Sequence, residues 1–94
     1  MLNQIILVGR LAKEVEIKDN IAIINLAIPR SFKNENGEYE TDFVDCVLNG
    51  QMASSTKEYC KKGDILGIKG RIQTNDKGIE VIAEKVTFLS ANKD

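Results

Sequence analysis

The chain has 94 residues, of which 43% are hydrophobic and 29% are charged. This length fits one small domain, and the composition is typical of a soluble globular protein. With 13 basic and 14 acidic side chains, the formal net charge is −1. That charge argues against a protein that coats polyanions by bulk positive charge, but it leaves room for a local basic groove.

Extended segments dominate the first third of the chain. Residues 4–8 are apolar on both faces, which predicts a strand buried on both sides. Residues 14–18 alternate apolar and charged side chains and are predicted to continue this strand after a bend. The turn residues Asp19-Asn20 lead into the longest predicted strand, residues 21–32, where Pro29 predicts an edge position or a bulge.

The rest of the chain contains a hairpin turn, one helix and three further strands. Asn36-Gly37 predicts a type I′ hairpin turn, because that turn needs positive φ at both central residues. A third strand is predicted at residues 41–48, and a helix at residues 50–60, where side chains recur at helical spacing. Two more strands are predicted at residues 65–72 and 79–89.

This order of elements predicts an all-β OB fold, a five-stranded Greek-key barrel with one short helix between strands three and four. We expect the barrel to occupy residues 1–90 and the polar residues 91–94 to be frayed. The apolar run at residues 5–8 is too short for a signal peptide, and nothing approaches the roughly 20 apolar residues of a membrane span. Cys46 and Cys60 are predicted to be small buried side chains, so the sequence indicates a reduced, cytoplasmic protein without a membrane partner.

The sequence lacks the residues on which most enzymatic catalysis depends. The chain has no histidine, which is the commonest general base and the commonest metal ligand. It has no glycine-rich phosphate loop, and its carboxylates fall where strands and turns meet solvent. We therefore predict a non-enzyme with no metal, no cofactor and no small-molecule substrate.

The predicted hairpin gathers aromatic and basic side chains. A two-residue loop at Asn36-Gly37 places Arg30 opposite Phe43, and cross-strand partners share a face. The face then carries, with Lys33 beside them, the residues Arg30, Phe32, Tyr39 and Phe43. Aromatic platforms beside cations are what a protein uses to hold single-stranded nucleic acid. Two alternatives stay open: the face extends the core, or it forms a subunit interface, and a bulge near Pro29 would change the face.

Further candidates for phosphate contacts occur at the end of the first strand, at the end of the helix and along the fourth strand. They are Arg10, Lys62, Lys69 and Arg71.

Seven short motifs follow one another along the chain. They are MLN (1–3), ILVGRL (6–11), NLA (25–27), TDF (41–43), YCKKG (59–63), GRIQT (70–74) and VIAE (81–84). In order and spacing, from residue 1 to about residue 89, they resemble the family of bacterial single-stranded DNA-binding proteins.

The resemblance implies an OB fold that assembles as a homotetramer, with a dimer as the alternative, and that binds single-stranded DNA in replication, recombination and repair. The resemblance implies that Phe32 and Phe43 correspond to the stacking aromatic residues of the family, and that Lys62 corresponds to one of its basic residues. Arg10 stands in the opening motif. The flexible linker and acidic tip of the family have no counterpart in these 94 residues, which fits either a trimmed chain or a naturally short form of the family.

The chain departs from the family pattern at three places. Asn49 replaces a usual aromatic, Asp45 stands where a basic residue is common, and the loop at residues 75–78 is short. These departures predict weaker binding and a smaller site. They also leave open a second hypothesis, an OB-fold protein-interaction module of the replication or primosome machinery. RNA as the natural ligand is a third, because stacking platforms accept either sugar.

Overall fold

A computed structural model describes residues 1–90 as a ring of β-strands with one helix. The elements are β1 (Ile5–Leu11), β2 (Ile17–Lys18), β3 (Ile21–Lys33), β4 (Tyr39–Asn49), α1 (Gly50–Tyr59), β5 (Ile65–Asn75) and β6 (Gly78–Phe88). The predicted frayed end, residues 91–94, lies outside the described residues. Within residues 1–90 no helix is long and apolar enough to cross a membrane.

The strands close into a barrel. Their order is β1-β5-β6-β4-β3-β2, and a further pairing between β1 and β3 joins the two sides of the ring. The β4–β6 pair is parallel, and the other pairs are antiparallel. The helix α1 lies between the third and fourth long strands. This confirms the predicted OB fold, a five-stranded barrel with one short helix at that place.

The turn at Asp19-Asn20 is where it was predicted, but the short strand β2 before it differs from prediction. Asp19 and Asn20 have φ values of 55° and 67°, and they join Lys18 to its cross-strand partner Ile21. Positive φ at both central residues is the signature of a type I′ turn. Residues 17–18 therefore form a tight hairpin with β3 and do not continue β1.

The loop between β3 and β4 is not the predicted type I′ turn. Gly37 has a φ of 78°, but Asn36 has no positive φ. The Asn34 N–H donates to the Glu38 carbonyl at 2.8 Å, and the Gly37 N–H donates to the Asn34 carbonyl at 3.0 Å. These bonds enclose a three-residue loop with glycine in the left-handed region, a common alternative hairpin.

The core fills the inside of the barrel with alternate side chains of each strand. Its buried members are Leu11, Val15, Ala22, Ile24, Leu26, Cys46, Leu48, Ala53, Cys60, Leu66, Ile68, Val81 and Ala83. The predicted burial of Cys46 and Cys60 is confirmed. Burial, with a smaller effect of a neighbouring aspartate, raises the pKa of each thiol to about 11.

The first strand is buried on one side only. Ile5 and Leu7 pack against the core, whereas Ile6 and Val8 are 67% and 53% exposed. The prediction that this strand is buried on both faces is therefore wrong for the single chain. Its second apolar face lies on the surface.

Candidate nucleic-acid interface

The outer face of the β3–β4 pair is the surface to which the aromatic candidates belong. Cys46 and Leu48 of β4 point into the core, so the odd-numbered residues of β4 point outward. Antiparallel pairing joins these outward residues into successive rungs: Pro29–Thr41, Ala27–Phe43, Asn25–Asp45, Ile23–Val47 and Ile21–Asn49. Phe43, in the second of these five rungs, is 65% exposed.

The register around Phe43 differs from the predicted one. Phe43 lies opposite Ala27, not Arg30, and Thr41 lies opposite Pro29. Between Pro29 and Lys33, residues 30–32 face the single residue Glu40 of β4. The predicted irregularity at Pro29 is thus confirmed, and it shifts the register on which the shared face depended.

Arg30 lies on the other side of the hairpin from Phe43. Its Nε and Nη2 donate to the two carboxylate oxygens of Asp42 at 3.0 and 2.9 Å, and its Nη1 donates to Glu40 at 2.8 Å. Glu40 and Asp42 alternate with Phe43 along β4, so they point to the opposite face. The prediction that Arg30 shares the face of Phe43 is therefore wrong. The Arg30 hydrogen bonds lower the pKa of Asp42, and Asp42 raises that of Arg30.

Tyr39 and Lys33 form the end of the outer face nearest the hairpin loop. They are cross-strand partners, and the Lys33 Nζ lies 5.8 Å from the centre of the Tyr39 ring. Tyr39 is 58% exposed and shares the outward parity of Phe43 on β4. Phe32 lies in the irregular segment beside them and is 65% exposed.

Cations flank this face on the β1 side. Arg10 of β1 pairs with Ala27, which places it on the same rung as Phe43. Its Nη1 donates to the Gly63 carbonyl at 2.9 Å, so the loop after α1 is held against the end of β1. In that loop, Lys62 lines a cavity of about 500 Å³ together with Lys13, Ile23 and two glutamates.

The two candidates on β5 have different positions. Arg71 lies opposite Ile82, and Ile82 lies beside Val47, so Arg71 reaches the far flank of the same face. Its guanidinium already contacts Gln73 at 2.7 Å and Glu84 at 3.4 Å. Lys69 lies between Ile6 and Lys85, neither of which pairs with β3 or β4.

Sequence reasoning missed several members of this face. Ile21 and Ile23 are 42% and 60% exposed, and Asn25 Nδ2 donates to Asp45 Oδ1 at 2.8 Å. The sequence did contain a signal for the isoleucines, since residues 21–24 are all apolar and therefore give the strand an apolar outer face as well as an apolar inner face. The Asn25–Asp45 contact carries no sequence signal, because it depends on the register of the two strands.

A closed five-stranded OB barrel with exposed aromatic side chains on its strands is typical of proteins that bind oligonucleotides or oligosaccharides. Residues 2–89 match the model of the single-strand binding protein family. The chain belongs to the single-strand binding protein family.

Similar proteins agree with this assignment. The chain is 42% identical to single-stranded DNA-binding protein B of Bacillus subtilis, over 95% of this chain and 91% of that protein. It is 39% identical to single-stranded DNA-binding protein 1 of Lactococcus lactis, over 99% and 71% of the two chains. The small single-stranded DNA-binding protein from Streptomyces coelicolor has the same fold, with a TM-score of 0.76, 19% identity and 99% of both chains covered. The family consists of non-enzymatic binding proteins.

Proposed function

We propose that this protein binds single-stranded DNA with little sequence preference, and that it acts in replication, recombination or repair in the cytoplasm. The observation that carries the proposal is the rung Arg10–Ala27–Phe43, which places an exposed ring and an arginine on one outward surface with only β3 between them. Bases stack on aromatic faces whatever their sequence, and cations follow the phosphates. The names of the relatives support the same ligand.

In this proposal Phe43 is the central platform, and Phe32 and Tyr39 extend it toward the hairpin loop. Arg10 and Lys62 contact phosphates on the β1 flank, Lys33 contacts them at the loop end, and Arg71 contacts them on the β6 flank. We assign Arg30 to the hairpin itself, because two carboxylates already neutralise its charge. We leave Lys69 out of this contact set, because its partners Ile6 and Lys85 do not pair with β3 or β4.

The test is titration of the protein into a fluorescently labelled dT oligomer of about 30 nucleotides, followed by anisotropy at several salt concentrations. A label is needed because the chain has no tryptophan. Phe43→Ala is expected to weaken binding by about 1–3 kcal/mol, the usual contribution of one stacked base. Phe43→Tyr keeps a ring and is the matched control, so it should bind nearly as the unchanged protein does. Equal affinity of all three proteins would remove Phe43 from the site.

A protein-interaction module is the second candidate, and Asp45 favours it. A carboxylate on the face two residues from Phe43 repels phosphate. If the protein ignores the dT oligomer even at low salt, the second candidate is favoured and a protein partner of the outer face should be sought. Equal or tighter binding of a U-rich RNA oligomer would extend the ligand class to RNA.

We also propose that the chain forms a homo-oligomer, with a tetramer expected, through β1. Ile6 and Val8 give this strand an exposed apolar face. Its pairing with β3 covers only Arg10 and Leu11, so one backbone edge of residues 5–9 has no strand partner among residues 1–90. Unpaired edges and apolar faces are what associating strands use.

A further inference from the structure

A polar pair occupies the rung next to Phe43 on the outer face. Asn25 and Asp45 lie opposite each other, and the Asn25 Nδ2 donates to Asp45 Oδ1 at 2.8 Å. Asp45 follows Phe43 by two residues, so the two side chains share a side of β4 about 7 Å apart along the strand. The pair therefore lies within reach of a base that stacks on Phe43 or beside it.

This pair offers hydrogen-bond acceptors to the solvent. Asp45 is exposed and Asn25 is half-buried. Within residues 1–90, their one side-chain hydrogen bond is the one between them, and Asp45 takes no part in an ion pair. Asp45 Oδ2 and Asn25 Oδ1 are consequently left to accept from a ligand.

The neighbouring rungs favour a base over a phosphate at this place. Phe43 bounds the pair on one side, and Ile23, 60% exposed, bounds it on the other. Bases rest on such apolar surfaces. The cations Arg10 and Lys62 lie beyond β3 on the β1 side, so the bases of nucleotides whose phosphates bind on that flank extend over the pair.

The chemistry of base edges then sets a preference. Cytosine carries an N4 amino group with two N–H donors for a carboxylate, whereas thymine carries an O4 acceptor at that position. The single N3–H donor of thymine lies between two carbonyl oxygens, which repel a carboxylate. We propose that the Asn25–Asp45 pair selects cytosine over thymine at the position beside Phe43. This inference rests on the proposed single-strand function and adds one base preference to binding that otherwise tolerates any sequence.

The experiment compares labelled dC and dT oligomers of about 30 nucleotides at pH 8, in the same salt, by anisotropy. The unchanged protein should bind dC about three- to tenfold more tightly than dT. Asp45→Ala removes the acceptor and should bring the ratio of the two dissociation constants close to one. Asp45→Asn removes the charge but keeps an acceptor, so it should retain part of the preference. Both variants should bind dT more tightly, because a repulsive charge is gone.

Glu58→Gln is the matched control, since it removes the same charge from an exposed position on α1. It should leave the ratio unchanged. A ratio of one in the unchanged protein overturns the inference, and so does a preference for dC that survives in Asp45→Ala. If neither oligomer binds at low salt, the proposed function itself fails, which is a distinguishable result.

Discussion

Gly70 occupies a position in the barrel where the neighbouring backbone leaves no space for a side chain. A Cβ at this position would overlap the carbonyl oxygen of Ile82 and lie 3.0 Å from its carbonyl carbon. The register between β5 and β6 shifts here, and the two backbones approach where the barrel bends. A side chain has no space unless one strand moves.

We expect Gly70→Ala to lower the free energy of unfolding by about 1–3 kcal/mol, the usual cost of overpacking. Urea denaturation at a fixed protein concentration measures this. Gly67→Ala, in the same strand, is the control, because its added Cβ would meet atoms at 3.7 to 3.9 Å, an ordinary contact. Equal midpoints for the two variants would contradict the steric argument.

Asp45 is a residue whose contact could not be predicted from the sequence. The sequence shows an acid where cations were expected, but it does not show what the acid touches. The hydrogen bond to Asn25 exists because Asn25 and Asp45 fall on one rung. Contacts of this kind depend on register, and register depends on the whole sheet.

At the scale of elements, Arg30 connects the two strands of the β3–β4 hairpin near its loop. Its guanidinium binds both oxygens of Asp42, which lowers the pKa of that carboxyl below its usual 3.8. A depressed pKa in the folded state means that the ion pair stabilises the hairpin above pH 4. The stabilisation is lost as the pH falls through the lower, folded-state pKa.

An NMR titration of the Asp42 carboxyl carbon tests this. In the unchanged protein its midpoint should lie below 3.8, and Arg30→Gln should return it to about that usual value. Arg71→Gln removes a cation from another strand and should leave the midpoint of Asp42 where it was. A midpoint that ignores Arg30→Gln would refute the ion pair in solution.

The elements themselves were largely predictable from the sequence. Alternation at Ala22, Ile24 and Leu26 predicts the inner face of β3, and all three are buried. The irregularity at Pro29 was predictable, because proline cannot donate in a ladder. Its size was not, so the partners of Phe43 were wrong by several residues. The turn at Asp19-Asn20 was predictable, but the type I′ turn was predicted at Asn36-Gly37 and occurs at Asp19-Asn20, because both pairs suit positive φ.

At the scale of the whole molecule, the sequence predicted which aromatic residues are exposed better than it predicted how the residues of the candidate face are arranged. Phe32, Tyr39 and Phe43 are all exposed on the hairpin strands. Arg30 was misplaced, and the exposed isoleucines were missed. The second apolar face of β1 could not be resolved from sequence, since an apolar strand suits a core and a subunit contact equally well.

The exposed face of β1 carries a prediction about assembly. Val8→Glu places a charge on this face and should lower the mass found by light scattering at micromolar concentration, because burying an unpaired charge is costly. Ile79→Glu makes the same change at a residue that is 71% exposed near the start of β6, and it should leave the mass unchanged. A monomeric unchanged protein would overturn the proposed oligomer.

The two buried cysteines have a practical consequence for such experiments. At pH 8 a thiol with a pKa of about 11 is ionised to about one part in a thousand, and the thiolate is the species that maleimides attack. Cys46 and Cys60 are also shielded by the barrel. A surface cysteine introduced at Lys77, in the β5–β6 turn, therefore reacts selectively in the native chain, and site-specific dyes can be attached without first removing the natural thiols.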